Sequence, residues 1–213
     1  MLGSVSRMSV SRLVCVLSLG LLLSASDVLP ATNEVRDTGD LLVVVQKRYS
    51  GGEGIWVRNR TPGDIAVRFN LQGQNVRFSK SMPVEQTIPG EQAVRLVEVV
   101  GLDPDKKWSY TYTYEARHGH LKAEHDAEVL YQLPYQVRKS FPVLQGFNGE
   151  HSHTNRLMYS VDFAMPKGTP IHAAREGLVV GVKGSSNRGG GNPEWIHDAN
   201  YIVIQHSDNT FAS

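Results

Sequence analysis

Two histidines and one acidic residue stand close together in FNGEHSHTNRLMYSVDFAMPKGTP, residues 147–170. His151 and His153 lie in a polar segment, and Asp162 follows nine positions after His153. In Tyr-Ser-Val-Asp-Phe-Ala, residues 159–164, the apolar Tyr159, Val161 and Phe163 alternate with Ser160, Asp162 and Ala164. That is the period of a half-buried strand, and it predicts that Asp162 points away from the apolar side. Imidazole nitrogen and carboxylate oxygen are both good zinc ligands, and hydrolytic zinc sites usually combine three protein ligands with a water. Nine residues is too far for one helix face, so the chain must bend to bring both side chains to one point. Spacing alone leaves two readings open, a placed metal ligand and a solvated surface carboxylate.

Other chemistries have less support. Gly-x-Ser-x-Gly, Gly-x-Gly-x-x-Gly and His-Glu-x-x-His are all absent from the chain, which leaves serine hydrolysis, dinucleotide binding and helical zincin sites without a motif. The Gly-rich SSNRGGGNPEW, residues 185–195, lacks a Gly-Lys-Ser/Thr ending and reads as a surface loop. His118, His120 and His125 fall in RHGHLKAEHD. His118 and His120 could meet a metal, and a polar hairpin tip is the plainer account.

The elements that must position these residues are strands. The stretches LLVVVQKRY, GIWVRNR, IAVRFNL, AVRLVEVV, WSYTYTYEA and AEVLYQL are β-rich and bounded by Gly, Pro, Asn or Asp. In Trp108-Ser-Tyr-Thr-Tyr-Thr-Tyr114 aromatics alternate with hydroxyls, which predicts one buried and one wet face. Short strands spaced this way predict an all-β chain with a β-sandwich-like domain over residues 40–132. Leu133-Pro134 marks the change of segment. A second β-rich region, residues 141–213, follows it and has no run of clean helical period.

Composition sets the compartment and excludes some partners. With 40% apolar and 20% charged residues the chain is of ordinary globular type. A formal net charge of +1 gives no electrostatic reason to expect nucleic acid. Residues 1–26 read as a secretory signal peptide: Arg7 and Arg12 with no acid, an eleven-residue apolar run at 13–23, then small residues. The run is short of the roughly 20 residues a membrane-spanning helix needs, so no membrane span is expected after cleavage, a retained anchor being the alternative. Removing the two arginines from 22 basic residues leaves 20 against 21 acidic ones. Cys15, the one cysteine, leaves with the signal, so disulfide and thiol chemistry are not expected.

The run SHTNRLMYSVDFAMPKGTPIHAAREGLVVGV resembles the opening of the lysostaphin/LytM-type zinc metallopeptidases. Three pieces carry the resemblance in order: Asp-Phe-Ala-Met-Pro-x-Gly-Thr-Pro at 162–170, Ala-Ala-x-x-Gly-x-Val-Val at 173–180, and Asn-Tyr-x-x-x-x-His at 200–206. It spans residues from about 141 to 213 and implies that His153 and Asp162 are two zinc ligands, the Ser152-His153 pairing favouring His153 over His151. It implies structural roles for His172 and His206, His206 alternatively lining the groove. The upstream β domain is similar, more loosely, to the accessory domain that precedes such peptidases in Gram-negative envelope proteins.

The resemblance implies an exported zinc endopeptidase of the periplasm or cell envelope of a Gram-negative bacterium, acting on peptidoglycan cross-link peptides. The family completes its site with a Tyr-x-His and then a His-x-His segment downstream of the Asn-Tyr strand. Within the 213 residues neither segment follows the Asn-Tyr strand, so the expectation is an incomplete peptidase domain, C-terminally truncated, with no catalytic histidine present and no activity of its own. Two alternatives are a non-catalytic envelope protein of the same fold that binds the wall or activates a wall hydrolase, and an exported β-sandwich adhesion or carbohydrate-binding module.

Overall fold

The computed structural model describes residues 33–38, 40–189, 195 and 198–213. The expected signal peptide and part of the Gly-rich loop lie outside the described residues. The expectation of an all-β chain holds: the described residues form thirteen strands, one short 3-10 turn and no α-helix. No helix among them is long and apolar enough to cross a membrane. The chain divides into two compact units, with the boundary between Arg117 and His118.

The first unit holds β1 (Asn33–Thr38), β2 (Leu42–Tyr49), β3 (Gly52–Asn59), β4 (Ile65–Gln74), β5 (Val76–Phe78), β6 (Val84–Ile88), β7 (Ala93–Gly101) and all of β8 (Ser109–His118) but its last residue, His118, which belongs to the second unit. They make a five-stranded sheet, β1-β2-β3-β7-β5, and a three-stranded sheet, β6-β4-β8. Both sheets send side chains into one core, among them Leu42, Val44, Ile55 and Leu96 from the larger and Ile65, Phe69, Ile88 and Tyr112 from the smaller. Strand alternation sets this up: on β2 Leu42, Val44 and Gln46 are buried while the residues between them are half-buried. On β8 the aromatics face inward as the alternation predicts, Tyr112 stacking on Phe69 with centroids 5.2 Å apart.

Polar groups in this core are satisfied. The buried Glu53 accepts a 2.5 Å hydrogen bond from the Tyr110 hydroxyl, which itself accepts one from the Gln46 amide. Asn59 staples two turns together, donating to the carbonyls of Gly63 and Ile88 while its Oδ1 accepts from the Thr61 N–H. Gly90 lies so near that junction that a Cβ there would fall 1.9 Å from the Pro62 carbonyl oxygen.

The second unit is thinner. It contains an antiparallel pair, β9 (Val143–Gln145) with β10 (Asp162–Phe163), and a three-stranded antiparallel sheet of β11 (Leu178–Lys183), β12 (Tyr201–Gln205) and β13 (Phe211–Ala212). Its buried apolar cluster is only Val180, Val203 and Phe211, while Leu144, Ile171, Val182 and Ile202 are exposed. AEVLYQL, expected as a strand, forms none. That stretch belongs to a segment fastened by single bonds from elsewhere in the unit: the Asp126 N–H donates to Asp208 Oδ2 and the Gln132 N–H to the Ala174 carbonyl. Such long-range fastening groups residues 118–132 with this second unit.

Candidate metal centre

The alternation in residues 159–164 is only partly realised. The strand is Asp162–Phe163 alone, because its partner β9 has three residues and the register shifts between Asp162 and Phe163. Phe163 packs edge-on against Tyr135 with centroids 5.5 Å apart, whereas Tyr159 and Val161 are exposed. Asp162 faces solvent with a side chain 51% exposed, as the pattern predicts.

The turn between the two short strands brings His153 to Asp162. Its Nε2 lies 3.1 Å from Asp162 Oδ1, and its side chain is only 3% exposed. Three interactions hold it there. The His153 N–H donates to the Gly149 carbonyl, the Asn148 N–H closes the loop onto Met158, and the Gln145 amide donates to the Ser152 hydroxyl. Gln145 is also the cross-strand partner of Asp162. A Cβ on Gly149 would fall 2.2 Å from the Gln145 side chain, so any larger residue there would force Gln145 to move. His151 is exposed and makes none of these contacts.

The hydrogen-bond pattern defines what His153 offers. Its Nδ1 lies 2.7 Å from the Gly146 carbonyl oxygen, which can only accept, so Nδ1 carries the proton. In the neutral ring Nε2 then presents a lone pair, and it presents it to a carboxylate. Two acceptors 3.1 Å apart repel unless a positive charge joins them. A proton on Nε2 makes an imidazolium–carboxylate pair; a divalent cation binds both lone pairs. For zinc the fit is good in two respects. Ligands at about 2.0–2.1 Å from a tetrahedral zinc stand roughly 3.3 Å apart, close to the separation here. A backbone carbonyl on the far ring nitrogen is also the usual support of a metal-binding histidine. Among the described residues no group of three His, Cys, Asp or Glu side chains is placed to hold a metal, so His153 and Asp162 form a pair without a third such ligand there.

The other histidines are placed differently. His206, at the end of β12, is 3% exposed and donates from Nδ1 to the Glu176 carbonyl at 2.7 Å, fastening the strand to the loop before β11. Its Nε2 is buried with no hydrogen-bond partner among the described residues, and the Tyr131 ring meets the His206 ring edge-on. His172 is exposed. His118 is buried at the end of β8, its Nδ1 without a hydrogen-bond partner among the described residues, and burial pushes its pKa down. The His120 ring nitrogen Nδ1 accepts from the Lys122 N–H, and His125 stacks on Tyr131.

Sequence reasoning missed the Gly146 carbonyl and Gln145, the groups that fix the tautomer of His153 and the turn around it. Neither carries a residue-type signal, since one is backbone and the other an ordinary amide. No family model matches this chain, and neither a curated protein nor a solved structure matches it.

Proposed function

We propose that the chain belongs to an exported zinc endopeptidase of the lysostaphin/LytM type, acting on peptidoglycan cross-link peptides, with His153 and Asp162 as two of the zinc ligands. One observation carries the reading: Nε2 of a buried, backbone-anchored histidine lies 3.1 Å from an exposed carboxylate oxygen, the spacing of two ligands on one cation. The sequence resemblance over residues 162–206 supplies the substrate class and the compartment. His153 and Asp162 would hold zinc together with a third ligand, and the metal would there supply Lewis-acid polarisation of a peptide carbonyl and activation of a water.

The chain's own residues do the preparation. Gly146 holds the Nδ1 proton and so keeps Nε2 free to bind. Asp162 supplies a negative charge at the surface, where an approaching cation need not be buried to reach it. The turn closed by Asn148 and Gln145 fixes the distance between the two side chains. In this reading a third ligand and groups that act on water are needed besides His153 and Asp162, and no third His, Cys, Asp or Glu ligand is placed beside them among the described residues.

The test is zinc stoichiometry and peptidoglycan hydrolysis, measured on the 213-residue chain and on a chain extended through the downstream reading frame. The extended chain should bind one zinc and cleave wall peptides, and His153→Ala or Asp162→Ala should abolish both. Full hydrolysis by an extended Asp162→Ala chain would overturn the ligand assignment. A downstream frame with no His-x-His would favour the non-catalytic wall-binding alternative.

A further inference from the structure

The loop that delivers His153 contains the chain's one Asn-Gly pair, Asn148-Gly149. The Gly149 N–H donates to the Gly146 carbonyl at 3.2 Å and closes a turn in which Asn148 is the third residue. Asn148 stands there at φ 55°, the left-handed backbone that favours glycine or asparagine in a turn, and it is exposed to solvent. Both sides of the Asn148–Gly149 link hold the histidine. The Gly146 carbonyl that accepts from Gly149 lies 2.7 Å from His153 Nδ1 and accepts from it as well. The Gly149 carbonyl accepts from the His153 N–H at 3.0 Å.

We propose that Asn148 is a site of spontaneous covalent modification, where the side-chain amide cyclises onto the Gly149 nitrogen and the resulting isoaspartate unfastens His153 from Asp162. Water and hydroxide are the only co-reactants. The Gly149 nitrogen, its proton taken by hydroxide, attacks Asn148 Cγ. A C–N bond forms there, the bond from Cγ to the amide nitrogen breaks, and that nitrogen leaves as ammonia. Water then opens the five-membered imide. Opening at Cγ gives aspartate; opening at the main-chain carbonyl gives isoaspartate, in which the chain runs through Cβ and Cγ and is longer by one methylene. Glycine crowds the attacking nitrogen least, having no Cβ. Asn75 and Asn209 share the positive φ, 55° and 61°, but are followed by the β-branched Val76 and Thr210. To react, the Gly149 N–H must leave its bond to Gly146, so the folded loop converts more slowly than a free peptide. A methylene inserted at this link displaces Gly149 from Gly146, and the two carbonyls no longer match the Nδ1 and N–H of His153. The proposal stands whether or not the pair binds a metal.

The experiment ages the 213-residue protein at mildly alkaline pH without zinc. Peptide mapping by mass spectrometry locates the conversion, enzymatic methylation counts isoaspartate, and NMR follows the His153 imidazole in the same samples. Conversion should accumulate at Asn148 and spare Asn75 and Asn209. A second set of His153 signals should grow one for one with the isoaspartate. Asn148→Gly suits the left-handed backbone and has no amide, so it should neither convert nor change with age. Freshly prepared Asn148→Asp should keep the His153 signals of the unaged protein, which separates added charge from lengthened chain. An Asn148 that stays intact under ageing that converts a free peptide of residues 145–151 overturns the site. Conversion with unmoved His153 signals, or an equal change in aged Asn148→Gly, overturns the link to His153. A fresh Asn148→Asp that already shows the second set would assign the change to charge and overturn the isoaspartate step.

Discussion

Arg175 and Asp208 form a 2.7 Å ion pair in which both side chains are nearly buried. Asp208 also accepts from the Thr210 hydroxyl and N–H and from the Asp126 N–H. One carboxylate therefore joins the 206–210 turn, the segment before β11 and the stretch after β8. This second unit has a small apolar core, so a larger share of its order rests on such polar fastenings than in the sandwich.

Removing the charge should loosen all three segments. Burial pushes the Asp208 carboxyl pKa up, but the Thr210 hydroxyl, the Asp126 N–H and the Arg175 guanidinium outweigh it and hold the group well below the usual carboxylate range. A folded pKa below the unfolded one stabilises above the unfolded value, about 3.9, and the contribution is lost as pH falls through the folded value. Asp208→Asn should raise amide exchange at 126 and 208–210 at pH 7, by a local destabilisation of about 1–3 kcal/mol. The difference from wild type should shrink once pH drops below about 4. An exchange difference that does not change with pH would contradict this account.

His118 should make the same unit sensitive to mild acid. Burial lowers its pKa from the model-peptide value of 6.5, so the folded form keeps it neutral where the unfolded chain takes up a proton. A lowered histidine pKa stabilises above the unfolded value, and that contribution is lost as pH falls from about 6.5 toward the folded value. Thermal melting followed between pH 7.5 and pH 5 should show falling stability, and His118→Leu should flatten the slope. An unchanged slope in the variant would remove His118 as the cause.

In the sandwich the sensitive point is the Tyr110 hydroxyl. Tyr110→Phe deletes the donor that Glu53 uses and the acceptor that Gln46 uses, leaving buried polar atoms less satisfied. The expected cost is about 1–3 kcal/mol, read as a lower denaturant midpoint for the sandwich transition. A midpoint shift below a few tenths of a kcal/mol would mean that other partners replace the hydroxyl.

The strands of the sandwich were legible because their burial is alternating and local: β2, β4 and β8 carry the period in their own residues. The second unit was less so. Tyr159 alternates correctly with Val161 and Phe163, yet only Phe163 turns toward the interior, since the partner strand is too short to continue the pairing. The stretch 127–133 has strand-forming residues but is held by Gln132 bonding to Ala174, a partner no local pattern announces. At the candidate site, His153 and Asp162 were singled out by residue type and resemblance. Their approach depends on a turn fixed by Gly149, Gln145 and two backbone carbonyls, which carry no such signal.

The central claim is that His153 Nε2 and Asp162 bind one cation together. The most direct measurement is a zinc titration of the 213-residue protein, read on the imidazole nitrogens by NMR. Zinc should move the Nε2 resonance of His153 and leave its Nδ1 protonated and bonded to Gly146, and Asp162→Ala should weaken the response by at least about tenfold. The two-ligand site should need zinc concentrations orders of magnitude above those of a complete three-ligand site. A response confined to His118, His120 or His125, with His153 unmoved, would contradict the account.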